Sequence, residues 1–479
     1  LVAKREEEKK LAEEEKKALD EDLATSKAAK IAALAEAAEA KGDFARAKRL
    51  WLALAERLPD SPEGKKAKER LASVVRGVVT LVDNGPSENR FDIAILGDGY
   101  TIEKQEAFLK VARRMCEKLF REEPFKEYEK YFNVRAVCVE SKERGFDIVP
   151  GTTKKDTALG AASEYDLMTV DHGAVHRALK GIPDDGLAIV LVNGGGTTGT
   201  GGGGVLAMGA SADAILHHEI GHAMAGLGDE YETKVGRATI GSASEAKRNR
   251  EGFEKIDGKW VRVRHIPPQV LAPNLMRGSD PEALRQAAPW RHWIERGMPN
   301  WRSRGMDNVD VFEGGGMKTH DVWRPQLDCR MRDASSEYCV VCMEQMVLTI
   351  YRGAKGIDRT DPPEEQVQVK ADAPAHFQVK TLAPRTHSLE VEWTIRKVIA
   401  TEEPEEGGTR VEQAPARRLP GGVSKGRDGE STHYCEIAAG TLTAGVYEVE
   451  AIAKDPTPYV LLDAQGRLTS KRSWRVEVK

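Results

Sequence analysis

No run of about 18 consecutive apolar residues occurs in this chain, so no segment is predicted to cross a bilayer as a helix. Cysteine is scarce: six in 479 residues cannot staple a scaffold that owes its fold to disulfides. Excess charge of one sign is missing too. Lys plus Arg (72) against Asp plus Glu (76) leaves a formal net charge of −4, which argues against a dedicated nucleic-acid binder, whose domain would be strongly basic. The first residue is Leu rather than Met, and no charged-then-apolar leader opens the sequence, so a leader is expected to have been removed or to lie outside it. What is there is 40% hydrophobic and 31% charged, enough apolar content for folded cores. At about 150 residues per domain the length suggests roughly three domains.

Composition changes twice along the chain. Residues 1–73 read as helical. Leu1–Asp22 is nearly all Ala, Leu, Glu and Lys, with opposite charges three and four apart. From Ser26 to Leu71 an Ala-rich amphipathic run stops at Lys41-Gly42-Asp43, a second carries Phe44, Trp51, Leu54 and Leu58 up to Pro59, and a third runs from Glu63 to Leu71. This resembles one tetratricopeptide-like hairpin; a charged helical spacer is the plainer reading. A lone repeat cannot bury its own face, so it must lean on another domain or on a partner protein. Residues 74–362 read as an α/β domain, with strands expected at Val74–Val82, Asp92–Leu96, Phe132–Val139 and Leu187–Val192. A helix is expected from a Thr101 N-cap through Phe108–Phe120, ended by Pro124, and the sheet is expected to be parallel or mixed under covering helices. Residues 363–479 read as an all-β sandwich of immunoglobulin or fibronectin type, with short strands at Gln366–Val369, Leu389–Arg396 and Val446–Ala453, an insertion at Glu402–Gly408, and Trp393 and Trp474 in its core.

The informative segment is Ile215-Leu-His-His-Glu-Ile-Gly-His-Ala-Met-Ala-Gly-Leu-Gly-Asp-Glu-Tyr231. Within it His218-Glu219-Ile220-Gly221-His222 is an HExxH motif. On an α-helix, positions four apart lie about 40° round and about 6 Å along, so both imidazoles converge on one ion. Glu219 then stands beside the remaining coordination position, placed to take a proton from metal-bound water. The motif alone is weak, but its context strengthens it. Ile215 and Leu216 give an apolar helical entry, Gly226 and Gly228 break the helix soon after His222, and Asp229 follows where a turning chain can bring a carboxylate back to the metal.

His218–Tyr231 resembles the His-Glu-x-Gly-His…Gly-Leu-x-Asp-Glu-Tyr signature of the IgA-peptidase family, metallopeptidase family 64. Phe91–Tyr100, Glu123-Pro-Phe, Asn133-Val, Glu140-Ser141, Asp156–Gly160 and Leu191-Val-Asn193 are similar to that family's upstream blocks. Pro273-Asn274, Phe312–Gly315, Arg324-Pro325, Cys329-Arg-Met331 and Cys339-Val-Val-Cys342 are similar to its downstream ones, so the likeness covers roughly Val78 to Arg352. The resemblance implies a metzincin-like zinc endopeptidase acting on protein or peptide substrates, extracytoplasmic in location. His218 and His222 would be zinc ligands, Glu219 the general base, and Asp229 the third ligand with Glu230 as its rival. The competing function is a catalytically silent, zinc-containing module of the cell envelope that binds protein or glycan; such a module has no need of Glu219. An HExxH aminopeptidase would place a Glu ligand much further along, against the Gly-Leu-Gly-Asp turn seen here.

Other features allow several readings. Met331 is either the apolar floor under the metal, as in a metzincin Met-turn, or a core methionine. Tyr231 and Tyr338 are candidates to stabilise an oxyanion. The glycine run Gly194–Gly204 lacks the following helix of a dinucleotide fingerprint and is expected to be a loop beside a cleft. The strand after it, Val205–Met208, is expected to offer an edge to an extended peptide. Cys329, Cys339 and Cys342 suggest a disulfide, free buried thiols, or a second, structural zinc with His320 as fourth ligand. Cys116, Cys138 and Cys435, with His172, His176, His217, His265 and His292, read as structural.

Overall fold

A computed structural model of the chain describes residues 13–14, 17, 20–21, 27–148, 155–164, 167–183, 186–194, 196, 198–232, 253–256, 259–262, 265–297, 308–402, 409–426 and 430–479. Most of the expected opening helix Leu1–Asp22, and residues 403–408 of the insertion expected at Glu402–Gly408, lie outside the described residues. The chain divides into two compact units: Leu1–Asp83 with Asp92–Lys118 and Val134–Met224, and Asn84–Phe91 with Leu119–Asn133 and Ala225–Lys479. No described helix is long and apolar enough to cross a membrane.

The first unit opens with α1 (Ala28–Ala40), α2 (Phe44–Arg57) and α3 (Pro62–Ala72). Local chemistry sets their starts. Asp43 accepts from the Arg46 N–H at 3.1 Å, and Ser61 accepts from Gly64 at 2.9 Å with Pro62 in the first turn. Ala32, Ala35, Ala47, Leu50, Trp51, Leu54 and Ala67 form one buried cluster. The outer face leans on the first strand, β1 (Val75–Val82): a side chain at Gly77 would meet the Phe44 ring at 2.3 Å. Then follow β2 (Phe91–Asp98), α4 (Gln105–Leu119), β3 (Phe132–Val139), the small ribbon β4 (Ala162–Glu164) and β5 (Leu167–Thr169), α5 (His172–Ala178), β6 (Leu187–Val192), β7 (Gly199–Gly202), β8 (Val205–Gly209) and α6 (Leu216–Ala225).

The main sheet runs β1-β3-β2-β6-β8-β7. It is mixed: β2, β6 and β8 are parallel neighbours, while β1 on β3 and β7 on β8 are antiparallel. Every residue of β2 and β6 is buried, as in a sheet covered on both faces. Asp98, at the end of β2, is wholly buried and accepts from Ser141 Oγ at 2.9 Å and from the Leu159 and Ala161 N–H groups at 3.0 and 2.8 Å, pinning the loops that cross that end of the sheet. Two expectations are corrected here. Thr101 precedes a short 3₁₀ turn at Ile102–Lys104 and donates to Glu103 Oε2 at 2.8 Å, so α4 begins at Gln105 without a Thr101 cap. The glycine run is not simply a loop: Gly199–Gly202 is β7, and it takes the sheet edge expected of Val205–Met208, because β8 pairs on both sides.

The second unit carries a hairpin of β9 (Phe253–Ile256) and β10 (Lys259–Arg262) and a four-stranded sheet, β11-β12-β14-β13, from β11 (Gln269–Ala272), β12 (Leu275–Arg277), β13 (Phe312–Gly315) and β14 (Lys318–Arg324). Its helices are α7 (Pro281–Ala287), α8 (Arg291–Arg296) and α9 (Val340–Gly353). Ten strands follow: β15 (Ile357–Asp361), β16 (Gln366–Val369), β17 (Ala375–Thr381), β18 (Glu390–Glu402), β19 (Thr409–Gln413), β20 (Arg417–Leu419), β21 (Gly421–Lys425), β22 (Ser431–Ile437), β23 (Gly445–Lys454) and β24 (Thr469–Val478). They form sheets β15-β17-β22-β21 and β16-β24-β23-β18-β19, with β20 on β18. Alternate residues of both sheets share one core, in which Trp393 and Trp474 stack at 6.0 Å, as the alternation predicts. Strand pairing carries this β-rich region back to Ile357, ahead of residue 363.

A buried carboxylate ties α9 to these strands. Asp455 accepts from Tyr351 OH at 2.5 Å, Tyr128 OH at 2.9 Å and the Thr457 N–H at 2.8 Å, and meets His387 Nε2 at 2.6 Å. Glu127 lies at 3.0 Å from His387 Nδ1. Burial alone would lower the His387 pKa, but the Asp455 and Glu127 carboxylates outweigh it and hold it above the ordinary imidazole value. A raised folded pKa stabilises fully below about pH 6.5, and that contribution fades as pH rises through the folded value. The melting temperature is therefore expected to fall across that window, and less steeply in His387→Gln; identical slopes for the two proteins would contradict the assignment.

Candidate metal centre

On α6, Leu216, Ile220 and Met224 recur at i, i+4 and i+8, all at most 5% exposed, and bury one face of the helix. His218 and His222, also four apart, therefore share another face. Their Nε2 atoms stand 3.2 Å apart, with ring centroids 4.8 Å apart and planes at 86°. Nitrogens held about 2.0–2.1 Å from a tetrahedral zinc lie about 3.3 Å from each other, so the rings already span one edge of such a site. Glu219, 7% exposed, lies between them in sequence. Its carboxyl sits against β7: a side chain at Gly199 would meet Glu219 Cδ at 3.3 Å.

Gly226, at φ +65°, ends the helix in a left-handed turn that residues with a Cβ rarely adopt. The next residues are held through their backbone by partners distant in sequence. Asn274, fully buried, accepts from the Gly228 N–H at 2.7 Å and donates to the Gly228 carbonyl at 2.9 Å. Gly316 N–H donates to the Asp229 carbonyl at 2.7 Å, Met317 N–H to the Tyr231 carbonyl at 3.0 Å, and Glu230 N–H to the Met331 carbonyl at 2.7 Å. Among the described residues, two groups of three or more ligand-type side chains have ligand atoms within 4.8 Å of one another. One is His218, His222 and Asp229; the other is Glu230, Cys329, Cys339 and Cys342. Two imidazoles and a carboxylate are a donor set that suits zinc, and they leave a tetrahedral position open.

The neighbouring acids, which sequence does not separate, thus fall into different groups. Asp229 is half-buried; Glu230 is fully buried, and burial pushes its carboxyl well above the ordinary carboxylate range. Met331 is fully buried two residues beyond Cys329. Tyr338 is 2% exposed beneath the Arg330 guanidinium, 5.7 Å from its ring centroid, an enclosed setting for a residue suggested as an oxyanion donor; Tyr231 is half-buried. Cys329, Cys339 and Cys342 are buried thiols, and no disulfide joins them. His320 is not their neighbour in that group: it is half exposed, with Nδ1 3.7 Å from Glu313. Asn274 is a site-supporting residue to which sequence reasoning gave no role, and Glu230, named there as the rival third ligand, is grouped instead with the three cysteines. Asn274 stood inside a block resembling the family, but no local pattern marks a side chain that reaches a turn 46 positions away.

No curated protein matches the chain. Solved structures it is similar to include the copper resistance protein PcoC from Escherichia coli, 13% identical, covering 26% of this chain and 98% of that one with a TM-score of 0.15. Murine CRIg is 14% identical, with coverages of 24% and 93% and a TM-score of 0.14. Those scores are too low to bear on fold or function. The match that bears on both is to a family model, IgA peptidase M64, over residues 79–252. That span holds the sheet from β2 to β8, the helix α6 with its histidine pair, and the turn that carries Asp229. Residues 79–252 of this chain match the family model of the IgA peptidase M64 family, a family of peptidases.

Proposed function

We propose that the chain is a zinc-dependent endopeptidase, with His218, His222 and Asp229 as metal ligands and Glu219 as general base. The observation that carries the reading is the 3.2 Å approach of the two Nε2 atoms on the helix that also bears Glu219, inside the span matched by a peptidase family. Bound there, zinc would supply Lewis acidity, drawing the pKa of a water towards about 7 and polarising a peptide carbonyl. Glu219 accepts the proton of the attacking water as its oxygen bonds to the carbonyl carbon. It then returns the proton to the amide nitrogen as the C–N bond breaks. β7 is the outermost strand of its sheet among the described residues, and it is the place for an extended substrate, whose backbone would add a strand beside Gly199–Gly202. In this reading residues 1–73 are a helical accessory that offers a surface to a protein partner, 74–362 the peptidase and 363–479 the sandwich, in an extracytoplasmic protein.

The test is a peptide-library digest by the full chain before and after chelation, with zinc restored, beside metal analysis of His222→Ala. Cleavage lost on chelation and regained with zinc is expected, together with one zinc equivalent missing from the variant. Unchanged metal content in His222→Ala would remove the site assignment. A zinc-loaded wild type that cuts nothing in the library would leave a binding module.

A further inference from the structure

The second ligand-type cluster lies wholly within the second unit and goes beyond the peptidase reading. Cys329 precedes the buried Met331, Cys339 caps the N-terminus of α9, Cys342 stands in its first turn, and Glu230 comes from the segment after α6. Cys329, Cys339, Cys342 and Glu230 have no measurable exposure, so four ligand-type side chains meet out of reach of bulk water. The spacings carry the argument. Cys329 Sγ and Cys342 Sγ are 3.7 Å apart, nearly twice a disulfide bond and close to the roughly 3.8 Å edge of a tetrahedral zinc–thiolate site. Glu230 Oε1 lies 3.3 Å from Cys342 Sγ and 3.9 Å from Cys339 Sγ, around the roughly 3.5 Å expected between sulfur and oxygen ligands of one ion.

Two further observations point to a bound cation. Glu230 Oε2 is buried with no hydrogen-bond partner among the described residues, although Asn274 Nδ2 donates to its Oε1 at 2.8 Å. The sulfurs are surrounded as thiolate ligands usually are. Met331 N–H and Cys339 N–H donate to Cys329 Sγ at 3.4 and 3.3 Å, and Cys342 N–H donates to Cys339 Sγ at 3.4 Å.

We propose that Glu230, Cys329, Cys339 and Cys342 bind a second zinc ion with a structural role. Three soft thiolates select zinc over hard divalent cations, and four protein ligands close the coordination sphere, so this ion has no open position for a substrate. It cross-links the segment after α6 to two neighbouring pieces of chain nearly a hundred residues on, around Met331 and at the start of α9. By gripping Glu230 it also fixes the direction in which the preceding residue, Asp229, presents its carboxylate.

The decisive protein is the full chain with His218→Ala and His222→Ala combined, which lacks the imidazole pair and so reads the cluster alone. After gel filtration it is expected to retain about one zinc per chain, with X-ray absorption showing about three sulfurs at roughly 2.3 Å. Adding Cys339→Ser and Cys342→Ser should abolish that zinc. Should the quadruple variant misfold, wild-type protein carrying two zinc ions should show on average roughly 1.5 sulfur neighbours per zinc. A metal-free double-histidine variant, a zinc shell of only nitrogen and oxygen, or a disulfide in the freshly purified non-reduced protein would each overturn the proposal. Because peptide cleavage is not a readout, an inactive protein that still holds a sulfur-bound zinc upholds this site while removing the peptidase reading.

Discussion

Glu219→Gln is expected to lower kcat on any peptide the wild type cleaves by a factor of about 10²–10⁴, the usual worth of a positioned general base, with zinc content unchanged. The substitution keeps the shape of a 7% exposed side chain lodged against β7 and removes only its capacity to accept a proton. The metal content matters as much as the rate. His218 and His222 belong to the same helix, so a variant that disturbed the helix would lose zinc and activity together, whereas loss of the base alone leaves zinc in place. Cleavage by Glu219→Gln within about threefold of wild type would assign the base elsewhere. A drop carried entirely by KM would mean that Glu219 serves binding and not proton transfer.

Gly201→Ala is expected to destabilise the first unit by on the order of 3 kcal/mol and to cut activity with it. A Cβ built at Gly201 would lie 2.2 Å from the Glu219 carbonyl oxygen and 3.1 Å from His222 Cβ, so β7 or α6 must move. The obstacle is backbone on a helix whose side chains are already buried, which leaves no flexible group to yield. The next residue supplies the control. A Cβ at Gly202 meets nothing within 4 Å, so Gly202→Ala should change stability by a few tenths of a kcal/mol and leave the rate alone. In thermal melts the first variant should lose roughly 5–10 °C and the second almost nothing. Equal melting points would show that β7 does not press on α6 as described.

This contact also shows where reading along the chain stops. The run Gly194–Gly204 was legible as glycine and as lacking a dinucleotide fold, but not as an edge strand, because the need for glycine at Gly199 and Gly201 comes from the proximity of Glu219 and His222, some twenty residues on. Strand order is set by long-range pairing, so Val205–Met208 was expected at the edge that β7 occupies. Where the signal was local, sequence and structure agree. Leu187–Val192, Phe132–Val139 and Gln366–Val369 fall on the expected residues, since alternation or a buried β-branched run suffices to define a strand. The hairpin helices also fall where Asp43 and Ser61 cap them. The Thr101 cap failed because its hydroxyl found Glu103 two residues away, a competition within one turn that composition does not resolve.

The amino-acid order by itself determined the HExxH pairing, for the helical repeat alone brings positions 218 and 222 onto one face, whatever surrounds them. It also determined the glycine stop after that helix and the alternation behind the C-terminal sheets. Which way each of two adjacent acids turns was decided only by tertiary contacts, through Asn274, Gly316 and Met331, whose backbone and amide groups hold the segment from both sides. The same holds for the cysteine cluster. Its fourth member is an acid nearly a hundred residues upstream rather than the histidine nearest in sequence, because proximity along a chain says little about which side chains a folded core brings within reach of one ion.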